Sequence, residues 1–262
     1  MQTMAELPTK LIAGICFALV FGTASLLGLP DLLSATSARI GANQANAQAA
    51  VVAADVSHST VDYLRLDARI VELMQDPDMV GLAVGTIERG EVRFMKGYGD
   101  VVANSGIAVT PDTVFRWASL SKGVASALVV GLAEDGLLAL DAPIDSLETT
   151  LTLPGGTQQV TVADVLSHRV GLRRNSWDDR LEAGEDPRVL RSELGRLQPL
   201  CPPATCYGYQ NIAFDTATEI VETVSGERFA VVAERRLFAP LGMVSASIGR
   251  AGLEGSAPWA RP

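Results

Sequence analysis

Residues 115–122 read Phe115-Arg-Trp-Ala-Ser-Leu-Ser-Lys122, and the apolar run 123–133 follows them directly. This pattern predicts a helix on which Ser119 and Lys122, three residues apart, share one face. Because Ser126 is the only polar side chain in the run, we expect the helix to be buried all round, with Lys122 at the edge of a core.

The pairing of Ser119 with Lys122 suits nucleophilic catalysis. Burying an ammonium group is expensive, and buried amines therefore lose their proton more readily. A neutral amine beside a hydroxyl can act as the general base that turns serine into a nucleophile. The alternative is that Ser119 caps the helix and Lys122 extends into solvent, because a pattern as short as S-x-x-K often arises by chance.

Lysine is rare in this chain. The sequence has 21 Lys and Arg residues, of which only Lys10, Lys96 and Lys122 are lysines. Arginine cannot be deprotonated in proteins, so it cannot serve as a base. One of the two lysines outside the N-terminal segment therefore lies where a titratable cation is needed.

Length and composition exclude several classes of function. At 262 residues and 48% hydrophobic, the chain can bury a sizeable core as one large or two intimate domains. The net charge of −9 and the lack of a basic patch argue against a nucleic-acid partner. The chain has two histidines, His58 and His168, and no Gly-rich phosphate loop, so no metal or cofactor is implied.

Residues 1–50 resemble an export leader, which leaves 51–262 as the folded domain. Lys10 precedes an apolar run, and Ala47-Gln48-Ala49 offers a cleavage site; Gly22-Thr23-Ala24 is a second possibility. The apolar stretch 11–29 is also long enough for an uncleaved membrane anchor. We favour a cleaved signal, and in either case we expect an exported protein, periplasmic or extracellular.

Two cysteines remain after the leader, Cys201 and Cys206. In an oxidising compartment an even pair favours a short-loop disulfide. Two free thiols are the alternative, and the spacing does not match a C-x-x-C redox motif.

The remaining pattern predicts a small β-part followed by a mostly helical part. Residues 80–87 and 91–98 form two strand-like runs joined by Glu88-Arg89-Gly90, which predicts a β-hairpin. The acidic segment 173–187 is expected to be a surface loop. We expect helices from a Ser59-Thr60 cap to Leu73, over 162–167 behind a Thr161 cap, and over 188–197, 211–225 and 229–237.

Tyr209-Gln210-Asn211 stands just after the cysteine segment and just before a predicted helix. Beside Lys122, the phenol of Tyr209 could relay a proton from Ser119 or to a leaving group. Asn211 offers an amide that can orient the lysine or a substrate amide. The alternative is an ordinary helix start with Asn211 as the N-cap.

Together these residues resemble the serine β-lactamase and penicillin-binding protein family, on its class C, D-alanyl-D-alanine carboxypeptidase and esterase branch. The pieces occur in family order over roughly residues 60–250, which makes a chance match negligible. They are Lys96-Gly-Tyr-Gly99, Thr110-Pro-Asp-Thr-Val-Phe-Arg-Trp-Ala-Ser-Leu-Ser-Lys122, Leu166-Ser-His-Arg-Val-Gly-Leu172, Tyr209-Gln-Asn211 and Pro240-Leu-Gly-Met243.

The resemblance implies an α+β fold, with an antiparallel sheet flanked by helices and a mostly helical subdomain. It implies that Ser119 is the acylated nucleophile, with Lys122 as its base and Tyr209 as the second proton-transfer group. Asn211 would position lysine and substrate, and the backbone N–H of Ser119 would form half of the oxyanion hole.

The roles of three further residues in the predicted site are still open: His168, Tyr207 and Gln210. His168 belongs to a family motif that is usually structural, and a Ser-His-Asp triad through His168 is the competing assignment. Tyr207 is the fallback phenol. Gln210 stands where the family usually has a smaller residue, so we expect it to alter the pocket wall.

The chain departs from the family pattern after Tyr209. The Lys/His-x-Gly motif, which supplies the second oxyanion N–H, has no counterpart there, and no closing strand is expected before residue 262. We therefore expect the C-terminal strands to be missing and the hairpin to have an exposed edge. Losing one oxyanion donor costs about 100- to 1000-fold in rate, so we expect poor activity from residues 1–262 alone.

The expected function is an exported serine hydrolase that acts through an acyl-enzyme. Its substrate would be a small molecule or peptidoglycan-type compound: an ester, a D-Ala-D-Ala peptide or a β-lactam. The acidic loop 173–187 argues mildly against an anionic substrate. The alternative is a non-catalytic or truncated family member that acts as a binding or scaffold protein.

Overall fold

The computed structural model describes residues 61–256 and 258–261. The predicted leader and the candidate anchor 11–29 lie outside the described residues. Ser59 and Thr60 also lie outside them, and the expectation that they cap the first helix is wrong, because the N-cap of that helix is Asp62. The helices are α1 (Tyr63–Leu73), α2 (Ser121–Glu134), α3 (Val162–Leu166), α4 (Asp178–Glu182), α5 (Pro187–Glu193), α6 (Asn211–Phe214), α7 (Thr216–Ser225), α8 (Phe229–Ala233) and α9 (Arg250–Gly255). The strands are β1 (Gly81–Glu88) and β2 (Glu91–Gly99).

The predicted hairpin is confirmed. β1 and β2 pair antiparallel, with one register shift between Thr86 and Ile87. Arg89 and Gly90 form the two-residue turn with φ of +55° and +81°, the sign that such a hairpin turn requires. One face of the hairpin packs on α1, where the rings of Tyr63 and Phe94 stack with centroids 5.7 Å apart.

α1 begins at Asp62, the N-cap. The Asp62 carboxylate accepts a hydrogen bond of 3.0 Å from the backbone N–H of Arg65, which satisfies one of the free donors of the first turn. The helix then runs to Leu73, as predicted.

The larger core is helical and centres on α2. This helix packs against α7 and α8 and buries Ala125, Leu128, Val129 and Leu132, which repeat at helical spacing. Val130 points away from that contact and is 37% exposed. The expectation that α2 is buried all round is therefore wrong, because its described helical neighbours lie on one side.

Two predicted segments differ from the structure. The helix expected over 211–225 divides into α6 and α7 at Asp215, whose carboxylate accepts hydrogen bonds from Arg191 and Thr218. The segment 173–187 is not simply a surface loop, since it contains α4 and its Trp177 packs against the core.

A buried charged network ties α5 to α7. Arg191 donates hydrogen bonds to Glu219 at 2.8 Å and to Thr150 at 3.0 Å, and it also pairs with Asp215. Both Arg191 and Glu219 are nearly inaccessible to solvent, with 2% and 7% of their side chains exposed. Burial raises the pKa of Glu219, but Arg191 and Thr150 outweigh it and hold that pKa below its usual value.

Residues 258–261 lie against the segment before Ser119. Trp259 forms an isolated parallel bridge with Val114, and Ala260 donates its N–H to the Val114 carbonyl at 2.8 Å. Within the part of the chain that the structure describes, the sheet has two strands, and none of the helices there is long and apolar enough to cross a membrane.

Candidate active site

Ser119 lies in a sharp turn that leads into α2. Ala118 has φ of +47°, the left-handed region that favours glycine, and Ala118–Leu120 forms one turn of 3-10 helix. The turn leaves the Ser119 side chain exposed. The first N–H groups of a helical turn have no acceptor within it, the arrangement that an oxyanion hole uses.

Lys122 points into the site. Its Nζ donates hydrogen bonds to Ser119 Oγ at 3.2 Å and to Asn211 Oδ1 at 2.7 Å, and it lies over the rings of Tyr209 and Phe214. The N-cap of α2 is Leu120, which makes no side-chain capping bond. The structure therefore contradicts the alternative in which Ser119 caps the helix and Lys122 extends into solvent.

Tyr209 is the third side chain of the site, after Ser119 and Lys122. Its hydroxyl donates a 2.7 Å hydrogen bond to Ser119 Oγ. Tyr207 is 65% exposed, and its ring packs edge-on against His168 instead. Of the two phenols that the sequence offers, the structure places Tyr209 at the serine.

Backbone bonds and close packing place Tyr209. Cys201 and Cys206 form a disulfide, and the loop that they close docks on residues 168–172. Gly208 donates its N–H to the carbonyl of His168 at 2.9 Å, and a Cβ there would lie 2.2 Å from a neighbouring carbonyl oxygen. Only glycine allows this approach, which sets the position of the next residue, Tyr209.

Asn211 joins the lysine to a residue that the sequence did not reveal. Its Oδ1 accepts from Lys122, while its Nδ2 donates to Asp178 Oδ2 at 2.7 Å. Asp178 is the first residue of α4 and lies 33 positions before Asn211. The sequence showed it as one of five acidic residues in a polar segment, and no local pattern there distinguishes it.

The site lowers two pKa values. Burial raises the pKa of Tyr209, but hydrogen bonding with Lys122 and Ser119 outweighs it, so the pKa lies below the usual 10.0. Asp178 acts on Tyr209 in the opposite direction, as a negative charge must. For His168, burial and the nearby Lys122 charge hold the pKa below its usual 6.5.

His168 packs against residues of the site and makes no hydrogen bond to Ser119. It is buried against the rings of Tyr209 and Phe214, and its Nδ1 accepts the backbone N–H of Gln210 at 3.2 Å. In a Ser-His-Asp triad the same nitrogen would donate to a carboxylate. The geometry therefore favours the packing role over the triad.

Gln210 does not line the pocket. Its side chain is fully buried, and its Nε2 donates to the carbonyl of Arg173 at 2.7 Å. The expectation that Gln210 alters the pocket wall is wrong, because Tyr209 bonds Ser119 and Asn211 bonds Lys122 while the Gln210 side chain between them is fully buried in the core.

The arrangement is a hydroxyl hydrogen-bonded to an amine and a phenol, and the four residues predicted for the site lie together. Their catalytic roles stay predictions. Among residues 61–256 and 258–261, no group of three or more His, Cys, Asp or Glu side chains could hold a metal ion.

Known proteins resemble this chain over most of the described part. Esterase EstB of Burkholderia gladioli is 31% identical over 195 residues, which cover 68% of this chain and 50% of the esterase. An unguisins hydrolase of Aspergillus campestris is 29% identical over 175 residues, 63% of this chain and 32% of the hydrolase. The octameric penicillin-binding protein homologue from Pyrococcus abyssi superposes with a TM-score of 0.68 at 24% identity, covering 76% of this chain and 47% of the homologue.

The chain spans half or less of the length of the relatives described above. The structural likeness confirms the α+β, β-lactamase/transpeptidase-like fold that the motifs implied. A family model described as Beta-lactamase matches residues 66–262, three quarters of the sequence. The chain therefore belongs to the Beta-lactamase family.

Proposed function

We propose that this chain is a serine hydrolase that works through an acyl-enzyme on Ser119. The observation that carries the proposal is that Ser119 Oγ is hydrogen-bonded to both Tyr209 and Lys122. A hydroxyl becomes a strong nucleophile only when a neighbouring group can take its proton. Here two such groups lie within hydrogen-bond distance.

In the first half-reaction, Ser119 Oγ attacks a substrate carbonyl carbon and passes its proton to Lys122 or Tyr209, whichever is unprotonated. The backbone N–H of Ser119 stabilises the oxyanion that forms. The leaving group departs with the proton returned by the same pair, and an ester on Ser119 remains. Water then attacks that ester and gives up a proton to the pair, which passes it to Ser119 Oγ as the bond from that oxygen to the acyl carbon breaks, so that the acid is released and the Ser119 hydroxyl is restored.

This chemistry requires a carbonyl compound that can acylate serine, and the family resemblance implies that it is an ester, a D-Ala-D-Ala peptide of peptidoglycan type or a β-lactam. The negative charge of the 173–187 segment gives little ground for preferring one of these substrates over another. Asp178 bonds Asn211, Glu185 pairs with Arg180 at 2.6 Å, and Asp186 caps α5. With these acids engaged, the argument against an anionic substrate weakens.

We also propose that residues 1–50 are an export leader or anchor and that residues 51–262 are the hydrolase domain. The family match over 66–262 supports the second assignment. N-terminal sequencing of protein recovered from the periplasm or medium tests the first. Cleavage after residue 24 or 49 supports a signal, and intact protein in the membrane fraction supports an anchor.

The test of the function is intact-mass labelling of the full chain with a fluorophosphonate and with a penicillin. Ser119→Ala should abolish the adduct, whereas Ser121→Ala should not, because the Ser121 hydroxyl bonds the Ala118 carbonyl outside the network. Preference between the probes begins to separate esterase from penicillin-binder. A folded chain without a Ser119-dependent adduct would overturn the hydrolase and favour the binding or scaffold role.

A further inference from the structure

Asp178, Asn211 and Lys122 form a continuous chain of hydrogen bonds that ends at the serine. Nδ2 of Asn211 donates to Asp178 at 2.7 Å, and Oδ1 of the same amide accepts from Lys122 at 2.7 Å. Building on the proposed function, we propose that Asp178 is a positioning residue that fixes the Asn211 amide and, through it, the amine of Lys122.

The physical reason is that a carboxylate can only accept. An amide has a donor end and an acceptor end of nearly the same shape, so packing alone does not select its orientation. If the Asn211 amide turned over, its oxygen would face the Asp178 carboxylate and its NH₂ would face Lys122. Both contacts would then be repulsive, so Asp178 keeps the amide oxygen directed at Lys122.

Helix capping does not account for Asp178. The N-cap of α4 is Trp177, and Asp178 shares the first turn with the exposed Asp179, which favours the helix dipole equally well. The second carboxylate oxygen of Asp178 is buried and has no hydrogen-bond partner among the described residues. Burying an unpartnered oxygen costs stability, and such a cost is typical of a site kept for function.

The test compares Asp178→Ala and Asp178→Asn in the full chain, with Asp179→Asn as the matched control. The rate of Ser119 labelling by a fluorophosphonate should fall on the order of 100-fold in Asp178→Ala, because a base displaced by about 1 Å loses that much. Asp179→Asn should label at the wild-type rate. The thermal unfolding temperature of Asp178→Asn should be no lower than that of the wild type, whereas its Ser119 should be labelled more slowly.

A double-mutant cycle separates positioning from a general structural role. If Asp178 acts through the amide, Asp178→Ala should cause no further loss of labelling in an Asn211→Ala background. An equal loss in both backgrounds, or wild-type labelling by Asp178→Ala, would overturn the inference.

A second readout does not depend on reactivity. The side-chain NH₂ signal of Asn211 in ¹⁵N spectra is assigned by its loss in Asn211→Ala. In the wild type its protons should exchange slowly with water. Exchange should be fast in Asp178→Ala and should stay slow in Asp179→Asn. Unchanged exchange in Asp178→Ala would overturn the inference. A wild-type chain that shows this protection but takes no label would overturn the proposed function and leave the positioning of the amide standing.

Discussion

The hydroxyl of Tyr209 lies 2.7 Å from Oγ of Ser119, although 90 positions separate the two residues in the chain. The contact joins the turn before α2 to the segment that follows the disulfide loop. Because α2 to α5 lie between these segments in sequence, the contact depends on how those helices pack.

Removing the Tyr209 hydroxyl should slow acylation of Ser119. We expect Tyr209→Phe to lower the labelling rate by about 100-fold or more, the usual contribution of one general acid–base group. Tyr207→Phe is the matched control, since that ring is 65% exposed and does not reach the serine. Equal rates for the two variants, measured by intact mass over time, would contradict the role of Tyr209.

The lowered pKa of Tyr209 predicts the direction of the pH dependence. The phenolate is the form that accepts a proton, and its fraction grows as pH rises toward a pKa that lies below 10.0. The labelling rate should therefore increase with pH, and the midpoint of the increase should lie below pH 10. In Tyr209→Phe that increase should be reduced, and a profile identical to wild type would rule out the phenolate as an acceptor.

Replacing Lys122 by arginine should abolish most reactivity while keeping the charge. A guanidinium donates hydrogen bonds but does not lose its proton, so it cannot act as a base. We expect a loss of about 100-fold or more in labelling rate. Lys96→Arg is the control, because Lys96 bonds Asp67 at 2.8 Å beside α1 and lies outside the site network. Near-normal labelling by Lys122→Arg would show that the base is elsewhere.

Stability should fall on mild acidification because of His168. Its pKa is lower in the folded protein than the usual 6.5, so the unfolded chain takes up the proton first as pH falls. The contribution is fully present above pH 6.5 and is lost below it. Asparagine suits this position, because φ is +58° and its oxygen can replace Nδ1 as acceptor.

The measurement is the urea midpoint at pH 7.5 and 5.5. Wild type should lose stability between the two, and His168→Asn should lose less. A wild-type midpoint that does not change over this interval would refute the prediction.

Breaking the buried network should destabilise the helical core without touching the site. Arg191→Met removes the buried cation beside Glu219, whose carboxylate then keeps only its hydrogen bonds from Thr150 and the 3.7 Å contact with the exposed Arg188. We expect a cost of about 3 kcal/mol in the free energy of unfolding, the lower end for a broken buried ion pair. Arg188→Met should cost below about 1 kcal/mol, because that side chain is 62% exposed and its ion pairs are 3.5 Å or longer. Urea denaturation measures both, and similar costs would contradict the network.

Features with a local cause could be predicted from the sequence. The β-hairpin follows from two strand-like runs around Arg89-Gly90, and the α3 capping box follows from Thr161 and Asp164 three residues apart. The break at Asp215 could not be predicted in this way. The side chain that bonds Asp215, Arg191, comes from a helix 24 residues away in the chain.

The sequence by itself determined the family, the Ser119–Lys122 pair and the candidates Tyr209 and Asn211, because these depend on short spacings and on residue chemistry. Only the tertiary structure decided that Gln210 is buried, that α2 buries one face, and that Asp178 holds the Asn211 amide. Each of these depends on which distant segments pack together. That is set by the burial of the whole core and by the pairing of polar groups far apart in the chain, neither of which a local pattern contains.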